Sequence, residues 1–182
     1  IENTKFKSNK VSSDIDCPGN ILPDEAQGFG GAIYNNGRLS IENSEFLANC
    51  CDENGGAMIV LPDSKIKISN CLFSENNAKK DGGVMHTMGE IEIDGSEFKN
   101  NNAGESAGVF DATESSKLKI SNSKFENNTA RTANVISNKG KLELIDTVID
   151  EGDILDENSG FEDEIQQTLP GVDGEASGSD ET

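Results

Sequence analysis

The pair Phe-x-x-Asn recurs along the chain at Phe6/Asn9, Phe46/Asn49, Phe73/Asn76, Phe98/Asn101 and Phe125/Asn128, and this recurrence constrains the fold more than any other feature. From the second copy onward the Phe positions lie 27, 25 and 27 residues apart, and a degenerate copy puts Ile149 and Gly152 at the same two places. A period of this size marks a stacked-repeat architecture, in which no unit can bury its own apolar face alone. Before each Phe runs an alternating segment: Leu39/Ile41, Ile66/Ile68, Ile91/Ile93, Leu118/Ile120 and Leu142/Leu144, with Ile1 as the remnant of the first. Alternation with period two is the pattern of a half-buried strand.

After each Asn comes a polar turn and then a Gly-rich opening to a second apolar segment, as in Gly30-Gly31-Ala32-Ile33, Gly55-Gly56-Ala57-Met58, Gly82-Gly83-Val84-Met85 and Ala107-Gly108-Val109-Phe110. The fifth version, Ala133-Asn134-Val135-Ile136, has decayed. Each repeat supplies at least two short strands joined by tight turns. The expected fold is therefore all-β: a right-handed, single-stranded parallel β-helix, a solenoid of the pectin-lyase-like kind, with about six coils of 25 to 27 residues. In such a stack the Phe residues form an interior column. The Asn residues form a ladder of side-chain amides bonded to their equivalents above and below, and glycine permits the next bend.

A second-order repeat supports this register, because Lys65-Ile66-Lys67-Ile68-Ser69-Asn70 returns as Lys117-Leu118-Lys119-Ile120-Ser121-Asn122. An outward column is expected to run Glu42, Lys67, Glu92, Lys119, Glu143, alternating in sign. Opposite charges about 4.8 Å apart on neighbouring strands form stabilising cross-strand pairs.

The interleaved F-x-x-N and G-G-A-[I/L/V] motifs, the latter at Gly30, Gly55 and Gly82, resemble the polymorphic outer-membrane protein (Pmp) repeat over roughly residues 1–152. Ala107 and Ala133 depart from it by replacing the first glycine, and the last coil lacks both motifs. The resemblance implies β-helical passenger domains of surface adhesins, and hence an extracellular or cell-surface location.

Composition narrows the function classes. The formal net charge is -19, of which residues 150–182 supply 12 acidic and no basic side chains. An acidic chain repels phosphate backbones and anionic lipid, so nucleic-acid binding is disfavoured. No apolar run approaches the roughly 20 residues of a membrane span, so membrane insertion by this segment is not expected. Ile1-Glu2-Asn3-Thr4 does not read as a signal peptide, and an export signal is expected upstream or already removed. The opening Ile1 to Phe6 matches Ile41 to Phe46, so the chain starts inside a coil and its first strand edge should be covered by upstream residues or another molecule.

The expected organisation is a β-helix over 1–152 with an inserted loop at 10–28, a capping segment at 153–170 containing Phe161, Ile165 and Leu169, and an acidic flexible tail at 171–182. Cys17 in the loop is expected to pair with Cys50, or alternatively with Cys51, as a staple suited to an oxidising compartment. Cys71 occupies the column of Ser44, Ser96 and Ser123. No C-x-x-C spacing suggests zinc. Asn127-Asn128-Thr129 is the one glycosylation sequon, making Asn127 the modification candidate.

No catalytic, metal or cofactor residues are expected, because the alternating column pairs its carboxylates with lysines and leaves no acidic cluster. Arg38 and Arg131 lie far apart in the stack, and His86, in a column with Tyr34, Ile59, Asp111 and Ser137, is expected to be a solvated surface residue. The expected function is a non-catalytic structural or adhesive segment presenting a long face to a protein or glycan. An alternative is a fibre subunit stacking end to end, and a weaker one is a polysaccharide lyase or hydrolase.

Overall fold

The computed structural model describes residues 1–11, 29–149 and 153–157. The expected capping residues Phe161, Ile165 and Leu169, the acidic tail, Cys17 and nearly all of the inserted loop lie outside the described residues.

One winding runs through four strands, where at least two were expected: Arg38–Glu42, Glu45–Leu47, Cys50–Cys51 and Met58–Val60. Every strand pairs in parallel with its counterpart one winding away, so the chain is a parallel β-solenoid with four sheets of five, five, four and six strands. About four turns are complete, with partial windings at either end, where six coils were expected. The difference arises because the described residues at either end, 1–11 and those from 136 onward, supply only part of a winding. The last sheet extends to Ile154–Asp156, which pairs with Ile136–Asn138.

The chain turns through left-handed backbone at recurring corners. One corner holds Asn43, Asn70, Gly95, Asn122 and Asp146, and the next holds Ser8, Ala48, Glu75, Asn100 and Asn127. Asn and Gly tolerate this conformation, which explains their abundance. At a third corner, Gly30, Gly55 and Gly82 have φ near +70°, and Ala107 and Ala133 adopt the same conformation at φ 58° and 54°. The residue that follows this corner is under a different constraint: a Cβ on Gly56 would lie 2.1 Å from the Gly83 carbonyl oxygen of the next winding. Backbone cannot yield to such a contact, so glycine fills this file at 31, 56, 83 and 108.

Stacking fills the interior with like residues. Phe6, Phe46, Phe73, Phe98 and Phe125 form one file, with successive ring centroids 4.7 to 5.0 Å apart and planes within 10° of parallel. Phe110 packs edge-on against Phe98 at 5.0 Å. Ile41, Ile66, Ile68, Ile91, Ile93, Leu118 and Ile120 complete this dry core from the five-residue strands. Each fully buried side chain of this size contributes about 1.5–3 kcal/mol.

The Asn ladder satisfies the backbone where the chain bends. The Asn76 amide group donates to the Phe46 carbonyl at 2.9 Å and to Asn101 Oδ1 at 3.0 Å. Its own Oδ1 accepts from the Asn49 backbone N–H at 3.0 Å and the Asn49 side chain at 2.9 Å. Asn49, Asn101 and Asn128 repeat this arrangement, and Asn9 starts the file. Fully buried polar groups need such partners, and each Asn serves both its own winding and its neighbours'. A second ladder uses hydroxyls: the amides of Thr4, Cys71, Ser96 and Ser123 donate to Ser44, Ser96, Ser123 and Thr147 respectively. Cys71 interrupts it as an acceptor, although its thiol donates to the Ser69 carbonyl at 3.2 Å just as the hydroxyls donate two residues back.

Candidate interaction face

The five-residue strands Arg38–Glu42, Lys65–Ser69, Glu90–Asp94, Lys117–Ser121 and Lys141–Ile145 form one sheet. Their alternation turns the aliphatic residues inward and leaves three outward files. The middle file is Ser40, Lys67, Glu92, Lys119, Glu143. Ser40 thus stands where Glu42 was expected, because Ser40 is the residue between Leu39 and Ile41. Glu42 pairs with Ser69 in the third file.

Charges in the middle file zip together: Lys67 Nζ meets Glu92 at 2.5 Å and Lys119 meets Glu143 at 2.7 Å. Lys65 in the first file meets Glu90 at 2.5 Å and reaches Glu92 at 3.5 Å. Hydrogen bonding to these lysines holds the Glu90 and Glu92 carboxyls below their usual range, and the Glu90 bond raises Lys65. Asp94 is likewise lowered, by hydrogen bonds from Asn122 and Ser121. Exposed pairs of this kind contribute only about 0.2–1 kcal/mol each, so their role is to fix the order of the surface. Between the middle and third files runs an open, shallow groove of about 480 Å³, lined by Ser40, Lys67, Ser69, Asp94, Lys119 and Ser121 among others.

His86 departs from expectation. It shares its file with Tyr34, Ile59, Asp111 and Ser137, but its side chain is only 13% exposed, and Nδ1 lies 2.5 Å from Asp111 Oδ2. Register explains the difference: stacking sets an acid one strand away from a histidine 25 residues earlier in the chain. Nearby, burial and then the Asp111 charge raise the Asp81 carboxyl, whose Oδ1 accepts the Ser106 N–H at 3.0 Å. The file sets Ile59 and Asp111, not a hydroxyl or thiol nucleophile, on either side of His86. Arg38 lies on the five-residue strands and Arg131 on a turn in a later winding. Among the described residues no group of three His, Cys, Asp or Glu side chains converges as a metal site.

Among the described residues Cys50, Cys51 and Cys71 are free thiols, and Cys17, the other half of the expected staple with Cys50 or Cys51, lies outside them. Consecutive strand residues face opposite ways: Cys50 points outward in file with Lys10 and Asn77, whereas Cys51 points into the solenoid, 2% exposed. Burial pushes the Cys51 thiol up to about 12 and raises Cys71 as well. Asn127 is exposed on a left-handed corner, and Thr129 of its sequon hydrogen-bonds Asn102 Oδ1 at 2.9 Å.

Sequence reasoning missed the ion pairs that need exact register, including Lys65 with Glu90. Both residues open their strands, and the constant distance to the following Ile-x-Ile could have revealed them. It also missed the Lys79–Asp52 pair at 2.7 Å and the Lys80–Glu53 pair, which join adjacent polar turns.

Parallel windings keyed by F-x-x-N and by a glycine-led corner define the class, a parallel β-solenoid whose repeat resembles the Pmp type. The chain is similar to a Chlamydia pneumoniae protein described as "Probable outer membrane protein pmp12", at 31% identity over 96 residues, covering 47% of this chain. The match spans 18% of that protein's length. No family model matches the chain. No solved structure matches it.

Proposed function

We propose that this chain is a non-catalytic β-helical segment of a cell-surface protein, whose five-residue-strand sheet is a contact face for a glycan or protein. The observation that carries this reading is the outward face itself, on which three polar files stay in register across five strands, flanking an open groove. Ladders and stacked rings make the windings rigid, so such a face presents groups at fixed spacing with little ordering cost on binding. The surface location rests on the similarity to an outer-membrane protein.

Two measurements test it. Antibody raised against the segment should label intact source cells without permeabilisation, and labelling only after lysis would overturn the location. Purified segment should bind cell surfaces or a glycan array saturably while releasing no reducing or unsaturated sugar ends. Turnover of a polysaccharide would overturn the non-catalytic assignment.

A further inference from the structure

The first outward file of the same sheet does not alternate. It reads Arg38, Lys65, Glu90, Lys117, Lys141, four cations and one carboxylate in register on adjacent strands. The single acid is hydrogen-bonded to Lys65 at 2.5 Å and has Lys117 as its neighbour on the other side, out of ion-pair reach. Arg38, Lys117 and Lys141 are exposed, and none has an ion-pair partner among the described residues. Lys117 and Lys141 therefore face each other at about 4.8 Å, a like-charge pair that is destabilising in a ladder. This occurs in a chain of formal net charge -19, where an acid at either place would fit the general composition.

From this file we infer that the sheet binds a linear anionic glycan lying along the solenoid axis, with its carboxylate or sulfate groups held by Arg38, Lys117 and Lys141. The inference rests on the proposed contact face and names its ligand class. Charge complementarity selects an anion. The rest of the face selects a sugar over a protein. Of the residues in the three outward files only Ile145 is apolar, so the aromatic and Met anchors that form the core of protein interfaces are missing. Across the middle file from the basic one, the groove offers the Ser40, Ser69 and Ser121 hydroxyls and the Glu42 and Asp94 carboxylates, all suited to sugar hydroxyls.

The test is surface plasmon resonance with the intact chain against heparin (sulfated), polygalacturonate (carboxylated), dextran (neutral) and poly-glutamate. Binding to at least one polyanionic polysaccharide should exceed that to dextran and weaken with added salt. Which of the two binds separates sulfate from carboxylate recognition. Lys117→Gln with Lys141→Gln should weaken that binding by about tenfold, whereas Lys7→Gln with Lys10→Gln, which removes equal charge elsewhere, should change it by less than about twofold. Melting no lower than that of the parent chain verifies the fold of both variants. Equal loss in both would reduce the effect to bulk charge and overturn the site, and poly-glutamate binding as tightly as the polysaccharide would assign the face to an acidic protein. A chain that ignores both polyanions but still binds cells or neutral glycans keeps the proposed function and loses this inference. One that binds nothing loses both.

Discussion

The central windings and the last one are built from the same motif but obey it with different strictness. Phe46, Phe73 and Phe98, like Asn49, Asn76 and Asn101, are wholly buried, each between two equivalents. Phe125 is only half-buried and Asn128 is 7% exposed. The second residue of the Gly pair is Gly31, Gly56, Gly83 and Gly108 through the centre, yet Asn134 takes this place in the last winding. Its side chain occupies the space by bonding Asp153 Oδ1 at 2.9 Å and accepting from the Ala130 N–H at 3.2 Å. A motif residue is thus demanded by the neighbours on both sides, and the demand weakens where one neighbour is incomplete.

The largest break in this comparison should come from Gly83→Asn, which copies into the centre what Asn134 already supplies at the end. A Cβ at residue 83 would lie 2.3 Å from the Gly108 oxygen and 2.6 Å from the Asn102 oxygen. Urea unfolding should show a loss of about 4 kcal/mol or more, or no folded protein. The reciprocal Asn134→Gly should cost only about 1 kcal/mol, for its lost side-chain bonds.

Next in size is the Asn ladder. Asn76→Ala strands the buried Phe46 carbonyl and Asn49 N–H, and should cost about 3–5 kcal/mol at about 1–3 for each orphaned group. Asn128→Ala should cost about half as much, since water can reach its site. Equal losses would show that position in the stack does not govern the ladder.

Ala107→Gly should act in the opposite direction. Alanine at φ 58° occupies left-handed backbone that costs an L-residue about 1–2 kcal/mol, partly offset by the extra chain entropy of glycine. A gain of about 0.5–1 kcal/mol in the same assay is expected, restoring the motif of the earlier windings.

The smallest effect concerns Asp81. Its carboxyl titrates above its unfolded value, so the folded state holds its proton more tightly, and stability falls as pH rises through the window above the unfolded value near 4. Asp81→Asn keeps an acceptor for Ser106 and should stabilise slightly at pH 7, with the gain vanishing below pH 4. A loss at pH 7 would mean that the His86–Asp111 neighbourhood needs this charge.

Much of this architecture is legible because stacking writes itself into spacing: the Phe file, the Asn file and the aliphatic pairs all follow from counting residues. What stayed hidden depends on backbone or register. Two-residue strands such as Cys50–Cys51 are too short for any periodicity to mark, so spacing shows at least two strands per winding and not all four. Glu42 attracted attention by its charge, although Ser40 holds the phase. The column that holds His86 and Asp111 was visible in the spacing, but not that His86 is mostly buried and in contact with Asp111. That Ala107 keeps the left-handed backbone of the glycines it replaces does not follow from its identity, although its place in the repeat marks the corner. The non-alternating basic file was open to inspection in the sequence, but only after the phase of every strand was known.

Disulfide trapping across two windings tests the stacked register most directly. With Cys17, Cys50, Cys51 and Cys71 replaced by serine or alanine, Glu92→Cys combined with Lys119→Cys joins two paired Cα positions, within the 4.4–6.8 Å a disulfide spans. The account predicts rapid, near-complete oxidation of this pair and little for Glu92→Cys with Ser121→Cys, a diagonal offset of two residues at roughly 7–8 Å. Equal trapping of the two pairs, or preference for the offset pair, would contradict windings that lie in register over one another.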